Sequence, residues 1–294
     1  MFIGYLNPRL VRTLLLIFGI MPYWLVAQSQ FLGIPVDQAK ELAKTQGSFI
    51  LLDFYASWCG PCVTMDERVW SQPSVAAAQR GFVNVRVDAT HDQNILRQYG
   101  LQGIPALIIL DANGEEYFRK VGYAEPGEII GVLNNYPSSM QLPYAADALV
   151  AKQPDLFNPH LLRSLHYQNA ARESAGGVQA QLVRVSDEAA KVALDILAEK
   201  QYPPESLIER IELMQAENLL LRGRAKKAVK VLEAMAATGH EKNEALACYL
   251  RGLAYTRTGQ PELAEACYSA LEVAVNNEAY LQRLSEEMEL ASKD

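Results

Sequence analysis

Two cysteines stand three positions apart in Trp58–Cys59–Gly60–Pro61–Cys62, and they are the residues of this sequence best suited to chemistry. The pair lies between a short apolar run and a helical stretch. That places Cys59 at a helix N-terminus, where unpaired amide N–H groups and the helix dipole favour a thiolate. A thiolate is the attacking species in thiol–disulfide exchange. Cys62, one turn on, can reach the Cys59 sulfur and resolve a mixed disulfide. Such a cycle needs no metal and no organic cofactor. Two other uses of the spacing stay open. A structural zinc site needs two more ligands, for which Cys248 and Cys267 lie far downstream and His160 and His166 face different sides of a helix. A structural disulfide across so short a loop gains little entropy.

The surrounding pattern supplies elements to hold the pair. Val36 to Thr45 has helical spacing with Asp37 as the expected N-cap, and Phe49 to Tyr55 is a buried-strand run. A helix then continues to about Trp70. Phe82 to Val87 alternates in steps of two, as a strand does, and a helix from about Gln93 ends at Gly100. Ala106 to Leu110 is a further strand, and Asp111–Ala112–Asn113–Gly114 turns the chain towards Tyr117–Val121. A last helix runs from about Pro126 to Asn134. The order βαβαββα fits an α/β sandwich around a central mixed sheet.

Beyond about Ser138 the strands stop, and prolines punctuate stretches rich in Ala, Leu, Glu and Lys. Gly223, Ala228 and Leu232 recur as Gly259, Ala264 and Tyr268, a spacing of 36 residues. The second copy resembles the tetratricopeptide (TPR) family at Gly252, Tyr255, Gly259, Ala264, Tyr268 and Leu271. Small residues there let antiparallel helices approach, and stacked helix pairs offer a concave face for a partner protein. An ordinary helical bundle is the alternative.

Bulk properties narrow the function further. The chain has 294 residues, half of them hydrophobic (50%) and 21% charged, which suits about two globular domains. A net charge of −7 with no basic stripe excludes nucleic-acid binding as the main task. Arg9 and Arg12 precede the apolar run Thr13–Met21, with small residues at Ala27 and Ser29, as in a secretory signal peptide. An uncleaved membrane anchor over Leu10–Ala27 is the alternative. Either reading puts the body of the protein outside the cytoplasm, in the periplasm or secreted.

The segment from Asp53 through Trp58 and Cys59 to Cys62 resembles the thioredoxin active-site sequence almost residue for residue, and the likeness continues at Asp88, Gly103–Ile104–Pro105, Asn113–Gly114 and Val121–Gly122. Val63 to Val75 is similar to the C-terminal thioredoxin-like domain of periplasmic DsbD-type reductases. The resemblance covers about Val36 to Asn135 and implies a thioredoxin fold, followed here by an all-α, TPR-like helical-repeat domain. It implies that Cys59 and Cys62 are the redox pair and that buried Asp53 takes the proton from Cys62. It implies a cis-proline at Pro105, and an Ile104 backbone that pairs with an extended substrate segment. Trp58, Gly60, Pro61 and Gly122 would complete a shallow substrate groove.

Two departures affect the charge around the pair. The family's lysine near the buried aspartate corresponds to Asn84, and the lysine after the second cysteine to Val63, so positive charge is expected to be missing. Gly60–Pro61 is the dipeptide of reducing thioredoxins, whose potential is about −270 mV. The expected activity is therefore reduction of disulfide-containing protein substrates, fed by a membrane electron donor. The alternatives are a TPR-mediated adaptor with an accessory thioredoxin domain, and a disulfide isomerase. The expected organisation is a leader or anchor at 1–29, a thioredoxin-like domain at 30–136, a helical linker region at 137–202 and TPR-like repeats at 203–294.

Overall fold

The structure, a computed structural model, describes residues 31–90, 94–235, 240, 243–274 and 277–292. The expected leader at 1–29 lies outside the described residues. The first helix, α1, spans Val36–Gln46 and starts with Pro35, not Asp37, at the cap position. Asp37 falls in the first turn, where a carboxylate suits the positive end of the helix dipole, and it pairs with Lys40 at 3.1 Å.

Four strands follow: β1 (Phe49–Tyr55), β2 (Phe82–Asp88), β3 (Ala106–Leu110) and β4 (Glu116–Val121). They form one mixed sheet in the order β2-β1-β3-β4. β1 runs parallel to β2, and the β1/β3 and β3/β4 pairs are antiparallel. The central strands are covered on both faces, so β3 is buried throughout and β1 up to Phe54. β4, at an edge, exposes Glu116, Arg119 and Val121. Leu32 exchanges main-chain hydrogen bonds with Asn84 and Arg86 at 2.8 and 3.1 Å, which occupies part of the outer edge of β2.

The flanking helices are α2 (Gly60–Met65), α3 (Pro73–Ala78), α4 (Asn94–Gln98) and α5 (Pro126–Leu133). The expected single helix to Trp70 is interrupted after Met65. α2 gives way to a wide π-type turn over Asp66–Trp70, and Pro73 then opens a new helix at a first-turn position that suits its ring. Together these elements make the mixed sheet with flanking helices of a thioredoxin fold.

A helical region completes the chain: α6 (Gln141–Lys152), α7 (Phe157–Arg172), α8 (Gly176–Ala198), α9 (Glu205–Leu221), α10 (Ala225–Met235), α11 (Glu244–Arg257), α12 (Pro261–Val273) and α13 (Glu278–Ala291). The first three of these pack on the sheet. Tyr144, Tyr167, Ala171, Leu182 and Val183 belong to the same buried cluster as Phe49, Leu51 and Ile108. The Tyr144 hydroxyl accepts from the Ala112 amide at 3.1 Å and donates to the Ser48 carbonyl at 3.2 Å. Gln181 donates to the Glu116 carbonyl at 3.1 Å.

Gly47 sits where α1 meets this helical layer. Its φ is +66°, and a Cβ there would fall 2.5 Å from the Gln141 backbone nitrogen. Gly47→Ala therefore combines left-handed strain with a backbone clash and is expected to cost roughly 2–4 kcal/mol. Urea unfolding measures the loss; an unchanged midpoint would show that α6 can move aside freely.

The last five helices enclose a second cluster, with Leu213, Ala228, Leu250, Leu271 and Leu284 at its centre. The repeated glycines Gly223 and Gly259 both adopt left-handed φ values, +69° and +71°, at the turns after α9 and α11. Gly252 is a close-approach residue: a Cβ there would lie 2.6 Å from Leu284 Cδ2 and 3.3 Å from Cys267 Cβ. Among the described residues no helix is long and apolar enough to cross a membrane.

Candidate functional site

β1 carries the chain out of the sheet at Tyr55, and Ala56–Ser57–Trp58 turn it into α2. Cys59 is the N-cap residue of that helix, and its sulfur accepts a hydrogen bond from the Cys62 amide at 3.2 Å. Pro61 lies in the first turn, where its missing N–H leaves no gap in the hydrogen bonding. Cys59 and Cys62 are joined in a disulfide, their Cα atoms 5.3 Å apart. Both are buried, clustered with Ala56 and packed by Tyr55 and Ile104.

An exposed rim surrounds this buried pair. Trp58 is 56% exposed and Val63 44%, and Gly60 and Pro61 are exposed between them. The Trp58 indole donates to the Thr90 carbonyl at 3.4 Å, and the Ser57 amide to the Thr90 hydroxyl at 3.0 Å. Thr90 is itself fixed by its amide donating to Asp88 Oδ1 at 2.7 Å, and Asp88 Oδ2 accepts from the Tyr55 hydroxyl at 3.2 Å. Asp88 thus holds the loop that orients Trp58. On the other side the Ile104–Pro105 bond is cis. The Gly122 amide donates to the Pro105 carbonyl at 2.7 Å from a backbone with φ +96°, a conformation suited to glycine. Ile104 makes no main-chain hydrogen bond among the described residues, which leaves its amide and carbonyl open to an added strand.

Asp53 lies on β1, two residues before the strand ends at Tyr55, and is 1% exposed. Register sets its partner: Asp53 is opposite Arg86 on β2. Arg86 donates to Asp53 Oδ2 through Nε at 3.1 Å and Nη2 at 2.9 Å, and Nη2 also bonds Asp66. The same guanidinium lies 4.3 Å from the Tyr55 ring centroid. Burial pushes the Asp53 carboxyl up to about 6; Arg86 opposes the rise and Asp66 adds to it.

The expected loss of positive charge near Asp53 is therefore corrected. Asn84 is buried and donates to the Gln79 and Phe82 carbonyls at 3.1 and 3.3 Å, with no hydrogen bond to Asp53 among the described residues. Arg86, two residues further along β2, supplies the cation instead. One signal was available: Arg86 is the one cation within an alternating strand. Asp66, and the bond by which Asp88 holds Thr90, have no signal of their own in the sequence.

The remaining candidates lie apart from this site. Cys248 and Cys267 are free thiols on α11 and α12. Arg251 approaches the Cys248 sulfur at 3.6 Å, and burial pushes the Cys267 thiol up. Among the described residues no group of three or more His, Cys, Asp or Glu side chains could hold a metal ion.

Comparison with known proteins gives the same segment a family likeness. Residues 34–112 match a family model described as thioredoxin-like. The chain is 38% identical over 85 residues to thiol:disulfide interchange protein DsbD 2 of Pseudomonas aeruginosa, a match covering 28% of this chain and 14% of that protein. It is 36% identical over 93 residues to the DsbD protein of Ralstonia nicotianae, covering 30% and 15%. The chain thus spans about a seventh of the length of these curated relatives. Among solved structures, the reduced C-terminal domain of Neisseria meningitidis DsbD is 26% identical, with a TM-score of 0.30, over 32% of this chain and 87% of that one.

Proposed function

We propose that this protein is an exported thiol–disulfide oxidoreductase that reduces protein disulfides through Cys59 and Cys62. The observation that carries the reading is the Cys59–Cys62 disulfide at the start of α2, in a segment with thioredoxin-like and DsbD-type similarity. In the reduced protein the Cys59 thiolate attacks one sulfur of a substrate disulfide and expels the other as a thiolate. Cys62, losing its proton to Asp53, then attacks the Cys59 sulfur. The second substrate thiolate leaves, and the protein is left oxidised. Each turnover moves two electrons from the Cys59/Cys62 dithiol to the substrate, and an external dithiol donor must restore them.

The substrate segment lies along the exposed rim and pairs with the Ile104 backbone beside Pro105, with Trp58, Gly60, Pro61 and Gly122 forming the groove. The leader-like sequence at 1–29 supports export to the periplasm or beyond, with a membrane protein as the electron donor. Repeated glycine turns and helix pairs support a TPR-like helical region that selects a partner.

Insulin reduction in the presence of dithiothreitol tests the activity. The wild-type chain is expected to accelerate precipitation of the insulin B chain, and Cys59→Ser to return it to the rate of dithiothreitol alone. A wild-type rate at that background would sink the proposal.

A further inference from the structure

A second chemically distinctive place lies in the helical region, where α7, α9, α11 and α13 enclose a cavity of about 200 Å³. Its wall carries Arg172, Arg210, Glu217, Tyr249, Tyr280 and Arg283. The only carboxylate among these, Glu217, is already committed. Arg172 donates to both of its oxygens, through Nε at 2.7 Å and Nη2 at 2.6 Å. Arg172 is held in turn by Gln168, which accepts from it at 3.0 Å and donates to Asn218 and the Met214 carbonyl.

Asn169 on the same wall also accepts from Arg172, whereas Arg210, Arg283 and the two tyrosine hydroxyls are unengaged. Among the described residues neither Arg210 nor Arg283 has an ion-pair or hydrogen-bond partner, and the Tyr249 and Tyr280 hydroxyls have none. The two tyrosine rings stack at 5.1 Å, which fixes their orientation. Glu217, Arg283, Arg172 and the Tyr249 phenol all line this one cavity. Guanidinium groups only donate hydrogen bonds, and a phenol readily donates one. The cavity therefore presents unpaired donors and two uncompensated positive charges, in a chain whose net charge is −7. What completes such a set is an anion with several acceptor oxygens, and a carboxylate matches a guanidinium fork in geometry as well as charge.

We propose that this cavity binds the carboxylate of an acidic residue in a polypeptide partner. Its size favours a single side chain, because sites for whole cofactors or drug-sized ligands run to roughly 300–1,000 Å³. Its position favours an extended chain: four alternate helices, α7, α9, α11 and α13, contribute to the wall, and Arg283 on the rim is exposed to a segment lying across them. The site would give the helical region a specificity of its own, independent of the cysteine chemistry.

The test is fluorescence anisotropy with the full chain and a fluorescein-labelled Gly-Glu-Glu-Glu-Glu-Gly peptide. The wild-type chain is expected to bind it saturably. The Arg210→Gln, Arg283→Gln double variant should weaken binding by at least about tenfold, the scale of one lost charge-assisted contact. Neither arginine has a partner to lose, so the double variant should keep the wild-type melting temperature. Should it fail to fold, Tyr249→Phe removes one donor with less disturbance and is expected to weaken binding by a smaller factor. The matching glutamine peptide should not bind, and free glutarate should compete only at far higher concentration. Three results would overturn the proposal: no saturable binding by the wild-type chain, equal affinity for the glutamine peptide, or binding unchanged in the folded variants. Glutarate competing as well as the acidic peptide would replace the polypeptide with a small dicarboxylate.

Discussion

Cys62→Ser is expected to accumulate as covalent mixed disulfides through Cys59, while Cys59→Ser forms none and loses the insulin-reducing activity altogether. The asymmetry follows from where the two sulfurs stand in α2. Cys59 is the N-cap residue, and the Cys62 amide donates to its sulfur at 3.2 Å. After reduction, that N–H and the other unpaired amides of the first turn face a thiolate, which is where a helix best supports negative charge. Serine at position 62 keeps the backbone amide, so the stabilisation of the nucleophile survives. What disappears is the thiol that would attack the Cys59 sulfur and release the substrate. Non-reducing electrophoresis with mass spectrometry of the Cys62→Ser protein, exposed to a disulfide substrate, measures the adduct. A Cys62→Ser protein without adducts, or a Cys59→Ser protein that traps as many, would reverse the assignment or remove exchange chemistry.

The elements that position this pair were legible because they rest on local signals. Phe49–Tyr55 and Ala106–Leu110 read as buried strands because each is a short apolar run, and both are central in the sheet. Gly100 ends its turn with a φ of +62°, a conformation glycine reaches without strain. The cysteine spacing alone places Cys62 one turn from Cys59. What could not be read is what depends on register and packing. Arg86 meets Asp53 only because β1 and β2 pair in parallel with these two residues opposite each other. No local pattern in the sequence states that pairing. The stretch 137–202 likewise carries helical periodicity, yet its periodicity does not reveal that Tyr144 would bond Ser48 and Ala112 across the sheet. The interruption of α2 after Met65 was also hidden, since Asp66 to Trp70 has no glycine or proline to mark it.

Asp53→Asn is expected to make the protein more stable and less active at once, with both effects tied to pH. In an unfolded chain an aspartate titrates near 3.9, whereas burial pushes the folded Asp53 up to about 6 despite Arg86. The folded state therefore holds this proton more tightly than the unfolded state. Its contribution to stability is complete below about pH 4 and is lost as the pH rises through about 6. Keeping the ionised carboxylate buried at pH 8 then costs roughly 3 kcal/mol relative to the protonated form. Asparagine stays neutral at every pH and has a similar shape, and Arg86 retains Asp66 as a partner. Urea unfolding should accordingly show a gain of up to about 3 kcal/mol for Asp53→Asn at pH 8, shrinking to nearly nothing at pH 4. If Asp53 also takes the Cys62 proton, resolution of the mixed disulfide should slow on the order of 10²-fold at neutral pH. In the wild type, resolution should slow as Asp53 becomes protonated below pH about 6, a step the variant lacks. A variant less stable than wild type at pH 8 would mean that the Arg86 contacts outweigh burial. A stability gain with an unchanged resolution rate would leave Asp53 a buried charge with no part in the exchange.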